Sequence, residues 1–324
     1  MIEKIRLSIG TAIQLGLETG NLDPYFTTAF VMTYKDDKCE SNCAFCPQAR
    51  DSFSSSDRLA RISWPEYDFQ LVIDNWQPRK FRRICLQTIC YTNVVDDVVD
   101  IVSELRKVSK LPISVAIHSI EKGDLIRLRN VGVSNVGIAL DACTPILFEQ
   151  IKGEQRDSKY RWNRHIQALE DALEVFGKGN VATHLIIGLG ETEKEATDFI
   201  VQMHEMGIGI GLFAFTAIKG TSLEGKPSPD LSSYRRIQVI RHLVSKGLLY
   251  SEQISSDKEG RVSLDLMKAP ILKELSSGEA FQVTGCKGCN RPYYNERPRG
   301  PMYNYPRPLS KIEVIDAIKE TQLV

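Results

Sequence analysis

Six times between residues 25 and 250 a β-rich run is followed by a helical pattern, and that alternation restricts the fold more than any other feature of the chain. The runs 25–34, 81–88, 111–119, 133–140, 181–188 and 208–218 read as strands. Between and after them, 63–76 (with Ser63 as N-cap), 93–109, 120–132, about 158–177, 192–206 and 232–247 read as helices. Strands separated by helices pair in parallel through right-handed crossovers, giving either a doubly wound sheet or a TIM-type barrel. The first strand lacks the G-x-G-x-x-G turn of a dinucleotide site, which disfavours the dinucleotide-binding version. The expected fold is therefore α/β, a partial or full TIM-type (β/α) barrel over residues 25–250. An N-terminal helical segment (1–24) precedes it and an irregular, cysteine-containing extension (251–324) follows.

Part of that extension cannot be a regular helix or strand. Residues 285–308 hold five prolines, three glycines, four tyrosines and two cysteines, so something else must order them. Metal binding is one such source of folding energy. No 20–50-residue period recurs, so a solenoid is not expected. Lys plus Arg equals Asp plus Glu at 41 each, which gives no charge-based reason to expect a nucleic-acid partner. No apolar run reaches the ~20 residues of a membrane helix, so no membrane association is expected. A cytoplasmic protein is the expectation, and there eight cysteines read as metal ligands or reactive thiols rather than disulfides.

Three of those cysteines form Cys39-x3-Cys43-x2-Cys46 on the loop after the first strand. Parallel α/β folds place active sites at the carboxyl ends of their strands, where this loop lies. A structural zinc closes its shell with four ligands. An iron–sulfur cube held by three thiolates leaves one iron without a protein ligand, open to a substrate or cofactor.

With Phe45 just before the third cysteine, this loop resembles the radical S-adenosylmethionine (SAM) superfamily. The resemblance implies a [4Fe–4S] cluster on Cys39, Cys43 and Cys46 as the catalytic centre. SAM would chelate its open iron and be cleaved reductively to a 5′-deoxyadenosyl radical that abstracts hydrogen from unactivated carbon. "IIGLGE" (186–191) resembles the family's fifth-strand element near adenine, here Ile186, Gly188 and Glu191. "ALDACTP" (139–145) resembles the fourth-strand segment of biotin synthase-like members, which puts Asp141 against ribose hydroxyls. Arg156 is a candidate for the SAM carboxylate and His118, at the end of the third strand, a candidate substrate contact. The usual Gly-Gly-Glu element after the second strand is replaced here by "CLQTIC".

That replacement supplies Cys85 and Cys90, and the tail supplies Cys286-x2-Cys289. Two short pairs meet the requirement of a second four-ligand site, with Cys143 as the alternative to Cys85. A second cluster combined with biotin synthase-like segments most resembles the two-protein (split) lipoyl synthases. The resemblance implies an auxiliary [4Fe–4S] cluster as sulfur donor, a sulfurtransferase activity and a role in lipoyl cofactor biosynthesis. The substrate would be an octanoyl chain on a lipoyl-domain or glycine-cleavage H-type protein. The other partners implied are a second related radical SAM enzyme and a reductant such as ferredoxin. The tail's tyrosines with Arg291, Arg297 and Arg299 are candidates for gripping the acylated partner. Two rivals stand beside this reading. One is a biotin synthase-like or mutase-type radical SAM enzyme whose tail site is only structural or electron-transferring. The other is a zinc-stabilised barrel without redox activity.

Overall fold

The computed structural model describes residues 2–264, 268–291, 296 and 299–323. A strand, β1 (Lys4–Leu7), and a helix, α1 (Ile9–Leu15), precede the first parallel strand, β2 (Thr28–Thr33). A long loop follows, with the short strands β3 (Arg58–Leu59) and β4 (Ile62–Ser63), then β5 (Glu66–Asp68) and α2 (Phe69–Asp74). The alternation continues with β6 (Arg83–Gln87), α3 (Val94–Val108), β7 (Ile113–Ile117), α4 (Lys122–Asn130) and β8 (Asn135–Ile138). It ends with α5 (Pro145–Ile151), α6 (Trp162–Phe176), β9 (Val181–Ile187), α7 (Glu193–Met206), β10 (Gly209–Ala214) and α8 (Leu231–Ser245). Beyond these lie the hairpin β11 (Ile254–Ser256)–β12 (Val262–Leu264), α9 (Lys268–Leu275) and α10 (Lys311–Thr321).

The main sheet runs β10-β9-β8-β7-β6-β2-β1-β5. From β2 to β10 every neighbouring pair is parallel and in chain order, while β1 pairs antiparallel with both β2 and β5. This is the partial TIM-type barrel. Its six parallel strands curve around an interior, with helices on the outer face. On β6, Ile84 and Leu86 join the apolar core under the helices, while Cys85 and Gln87 line an inner cavity. The period-2 alternation of a strand separates the two sets. Every residue of β2 is buried, as a strand covered on both faces requires.

Two local readings differ from the expectation. The stretch 1–24 opens with a strand rather than a helix, because β1 extends the sheet antiparallel to β2. The helix expected over 63–76 is confined to α2, whose N-cap is Asp68 (Oδ1 accepting from Leu71 N, 3.0 Å), not Ser63. Pro65 disfavours helical backbone at Trp64, and the following residues pair with β1.

The C-terminal region is built onto the barrel. Arg235 of α8 is buried and donates to the carbonyls of Met302 and Tyr303 (2.7 Å each), to Gln238 Oε1 (2.8 Å) and to Glu320 of α10 (2.8 Å). Its neighbour Arg236 pairs with Glu193, and the same carboxylate accepts from Val262 N of the hairpin (2.9 Å). No described helix is long and apolar enough to cross a membrane.

Candidate active site

The Cys39–Cys46 loop leaves the carboxyl end of β2 and is fastened from several sides. Cys39 N donates to Gln48 O (3.0 Å), Glu40 N to Cys90 O (2.8 Å), and Ala44 N to Ile151 O at the end of α5 (2.8 Å). Two backbone N–H groups, of Ser41 (3.4 Å) and Cys90 (3.1 Å), point at Cys39 Sγ. Such donors stabilise a thiolate and tune a metal bound to it. Burial raises the pKa of Cys39, drives that of Cys43 well above its ordinary range and pushes Cys46 up to about 12. A thiolate in this environment needs a compensating cation, which metal coordination supplies.

Asp141 follows β8 in the left-handed backbone region (φ 64°), a strain of order 1 kcal/mol for a residue with a side chain. It is held by Asp141 N to His184 O and Ile186 N to Asp141 O, both 2.9 Å. Its carboxylate lines the cavity and takes a hydrogen bond from Lys152 Nζ at 2.7 Å. Phe45, Cys46 and Ile186 line the same cavity. Glu191 turns inward on its own loop, accepting from the N–H groups of Gly188 (2.5 Å), Leu189 and Gly190 (3.0 Å each). Gly188, at φ 104°, lets Pro229 and Phe215 approach where a Cβ would come within 2.9 Å of Pro229. The motif residues thus divide: Ile186 faces the cavity, and Glu191 with Gly188 shapes the turn.

Arg156 and His118 lie outside the cavity lining. The Arg156 guanidinium bonds Ser222 Oγ (2.6 Å) and Asn42 O (3.3 Å), tying the cysteine loop to the loop after β10. His118 stacks on Tyr160 with ring centres 5.8 Å apart, and burial lowers its pKa to about 4, so it is neutral at physiological pH. Two residues not singled out beforehand complete this end: Lys152 and the buried Tyr160. Lys152, the C-cap residue of α5, follows the buried Phe148 at i+4, a spacing that marks a lysine on an apolar face.

The other thiols separate into two places. Cys85, Cys286 and Cys289 all line the cavity, and the nearby charges acting most strongly on Cys85 are those of Cys289 and Cys286. Ser114 Oγ, at the start of β7, is 3.4 Å from Cys286 Sγ, and Gln87 Nε2 donates to Cys85 Sγ (2.9 Å). The tail is anchored where the strands begin: Arg83 donates to Lys287 O, and Asn290 N to Thr28 Oγ1 (3.2 Å). Leu212 N donates to Thr284 Oγ1 (2.9 Å). Cys90, by contrast, stands beside Cys39, and Cys143 is buried near Glu191 and Glu195. The structure does not bring either into the Cys85–Cys286–Cys289 group. Of the tail's polar candidates, Arg291 lines the cavity with its guanidinium 3.9 Å from the centre of the Phe213 ring. Arg297, Tyr293 and Tyr294 lie outside the described residues.

The cavity, about 190 Å³, therefore has Cys46 and Asp141 at the carboxyl ends of the strands and three thiols toward their amino ends. Its wall between is mostly apolar, with His184 and Arg291 as polar members, and includes small residues on successive strands, namely Ala116, Gly137 and Ala182. Among the described residues no three His, Cys, Asp or Glu side chains converge closely enough for a single metal ion. A cube places each thiolate on a different iron, so its ligands stand further apart than those of one ion. An all-sulfur donor set of partly buried thiols fits iron–sulfur clusters.

A partial (β/α) barrel with three thiols on the loop after its first parallel strand belongs to the class of (β/α) folds that build a site at the carboxyl ends of their strands. The profile of the Radical SAM superfamily matches residues 36–202, just over half of the chain, and the protein belongs to that superfamily. Membership implies a [4Fe–4S] cluster and SAM. The chain is 22% identical to a biotin synthase of Brachyspira hyodysenteriae over 227 residues, 68% of this chain and 64% of that relative. The match thus spans less than two thirds of the relative's length. Among solved structures, methylornithine synthase superposes with a TM-score of 0.52 at 14% identity, over 69% of this chain and 65% of that one. The FeFe-hydrogenase maturase HydG from Carboxydothermus hydrogenoformans superposes with a TM-score of 0.53 at 12% identity, over 74% and 59%. These structures share the fold.

Proposed function

We propose that this radical SAM enzyme inserts sulfur into an unactivated C–H bond of a protein-bound octanoyl chain, as one of a pair of enzymes in lipoyl cofactor biosynthesis. The observation that carries the reading is one largely apolar cavity with thiols at both ends: Cys46 at the mouth, and Cys85, Cys286 and Cys289 at the floor. When bound, the mouth cluster with SAM supplies a carbon radical, and a floor cluster supplies sulfide. The chain's own residues do the rest. Cys39, Cys43 and Cys46 hold the first group, with Asp141 and Ile186 beside the cofactor. Cys85, Cys286 and Cys289 hold the second on a floor closed by Arg83, Thr28 and the tail. Ala116, Gly137 and Ala182 leave room between them for an unbranched chain, and the surrounding Phe30, Phe213 and Phe215 keep water from it. The acyl chain would be delivered on a lipoyl-domain or glycine-cleavage H-type protein, with a related radical SAM partner completing the second sulfur and a ferredoxin-type reductant.

The test is single turnover of anaerobically loaded protein with SAM, dithionite and an octanoyl-lysyl peptide of lipoyl-domain sequence. Mass spectrometry of a sulfur-containing octanoyl product, with matching loss of acid-labile sulfide, is the expected result. Formation of 5′-deoxyadenosine with no sulfur transfer and intact floor sulfide would instead favour a mutase-type enzyme.

A further inference from the structure

Lys152 is a buried ammonium beside the cysteine loop. Its side chain is 5% exposed, and Nζ donates to Asp141 Oδ2 and Ala139 O at 2.7 Å each. It also lies 5.3 Å from the centre of the Tyr160 ring and 5.5 Å from that of Phe148, both on the electron-rich faces that hold a cation. The preceding residue, Ile151, accepts the Ala44 N–H from within the cysteine loop, so Lys152 and the loop are fixed to one another. Burial disfavours a charged lysine, and the buried Asp141 carboxylate in direct contact compensates it. Glu40, next to Cys39, is paired with Lys35 and Lys159 near the surface.

We propose that Lys152 sets the reduction potential of the cluster held by Cys39, Cys43 and Cys46, through a positive charge fixed to the cysteine loop by the Ile151–Ala44 hydrogen bond. Reduction brings one electron from an external low-potential donor into the cluster, with no proton moved and no bond made. The added negative charge is placed in a buried region where Coulomb interactions are weakly screened. The ammonium favours it there. Removing Lys152 withdraws a cation and leaves the Asp141 carboxylate uncompensated, and both changes oppose reduction. This inference rests on membership in the superfamily and not on sulfur insertion.

The experiment is an anaerobic redox titration of the loaded protein followed by electron paramagnetic resonance. The signal that changes on adding SAM identifies the mouth cluster whether or not the floor site is filled. Lys152→Met is expected to lower the one-electron reduction equilibrium at least tenfold, a midpoint about 59 mV more negative. Lys152→Arg is expected to stay near wild type. Should Lys152→Met fail to hold iron, Lys152→Gln, which keeps a hydrogen-bond donor and removes the charge, is titrated in its place with the same expected shift. An unshifted Lys152→Met midpoint at full iron content would overturn the proposal. So would an arginine variant that shifts as far as the methionine one, since position rather than charge would then be responsible.

Discussion

Ser114 Oγ lies 3.4 Å from Cys286 Sγ, bringing the tail back across 172 positions of chain to the start of β7. The same serine accepts from Arg83 Nη2 at 2.7 Å, and Arg83 also donates to Asn135 Oδ1 (2.8 Å) and to the tail at Lys287 O. These bonds seat the Cys286–Cys289 turn inside the barrel next to Cys85. The first prediction is therefore one of grouping. Cys85→Ala and Cys286→Ala/Cys289→Ala variants, purified anaerobically, lose the iron and sulfide of one four-iron cluster, whereas Cys90→Ala retains it. Iron and sulfide assays with Mössbauer spectra check this, and a cluster lost from Cys90→Ala but kept in Cys85→Ala would reverse the assignment.

A second prediction concerns the cavity wall. A Cβ built on Gly137 meets nothing closer than Ala182 O at 3.8 Å, so alanine fits there without displacing a neighbour. The longer leucine enters the cavity between the two sets of thiols. Gly137→Ala is expected to be close to wild type, and Gly137→Leu to slow acyl-chain turnover by about a hundredfold, the effect of misplacing a reacting group by ~1 Å. Both should unfold at the same denaturant concentration. A leucine variant as active as wild type would place the acyl chain elsewhere.

The cysteine loop and the strand–helix alternation were legible because both are local patterns, carried by spacing along the chain. The division of the remaining thiols was not. Cys85 and Cys90 are five residues apart, and at ~3.3 Å per residue an extended segment separates them by roughly 16 Å. That arithmetic argues against placing both on one cube. Cys90, beyond the end of β6, reaches the mouth, while Cys85, within the strand, faces the floor. Arg156 and Glu191 were legible as residues of the site's loops, but their hydrogen bonds hold the chain itself, which only tertiary structure reveals. Lys152 carried the weakest signal, a lysine at the end of an apolar helix face, because its partners Ala139 and Asp141 come from the loop after β8.

The third prediction tests how the tail is held. Arg235→Ala removes the donors to Met302 O, Tyr303 O and Glu320 in a site where the arginine is 1% exposed. Each buried carbonyl left without its donor costs about 1–3 kcal/mol, while the partly exposed Glu320 loses little. Arg235→Lys rescues little, since a single ammonium cannot satisfy the spread of acceptors that a guanidinium reaches. Denaturant midpoints measure the loss. Limited proteolysis should show cleavage before α10 in both variants, and an alanine variant as stable as wild type would mean the tail is held chiefly by apolar packing.

The last prediction is a pH dependence. Burial lowers the pKa of His184, on the cavity wall against Phe213, to about 4, although Asp141 opposes the shift. An unfolded histidine titrates near 6.5. Above that pH both states carry a neutral ring and His184 contributes nothing to the pH profile. Below it the unfolded chain gains a proton that the folded chain refuses until about pH 4, so stability falls as the pH drops through this window. The loss attributable to one such histidine between pH 6.5 and 5 is about 2 kcal/mol. His184→Phe keeps an aromatic ring in the wall and removes the titration. Its denaturant midpoint, followed against wild type in the same cluster-loaded state, should therefore decline less steeply from pH 7 to 5. Parallel profiles would show that His184 accepts its proton in the folded protein as readily as in the unfolded chain.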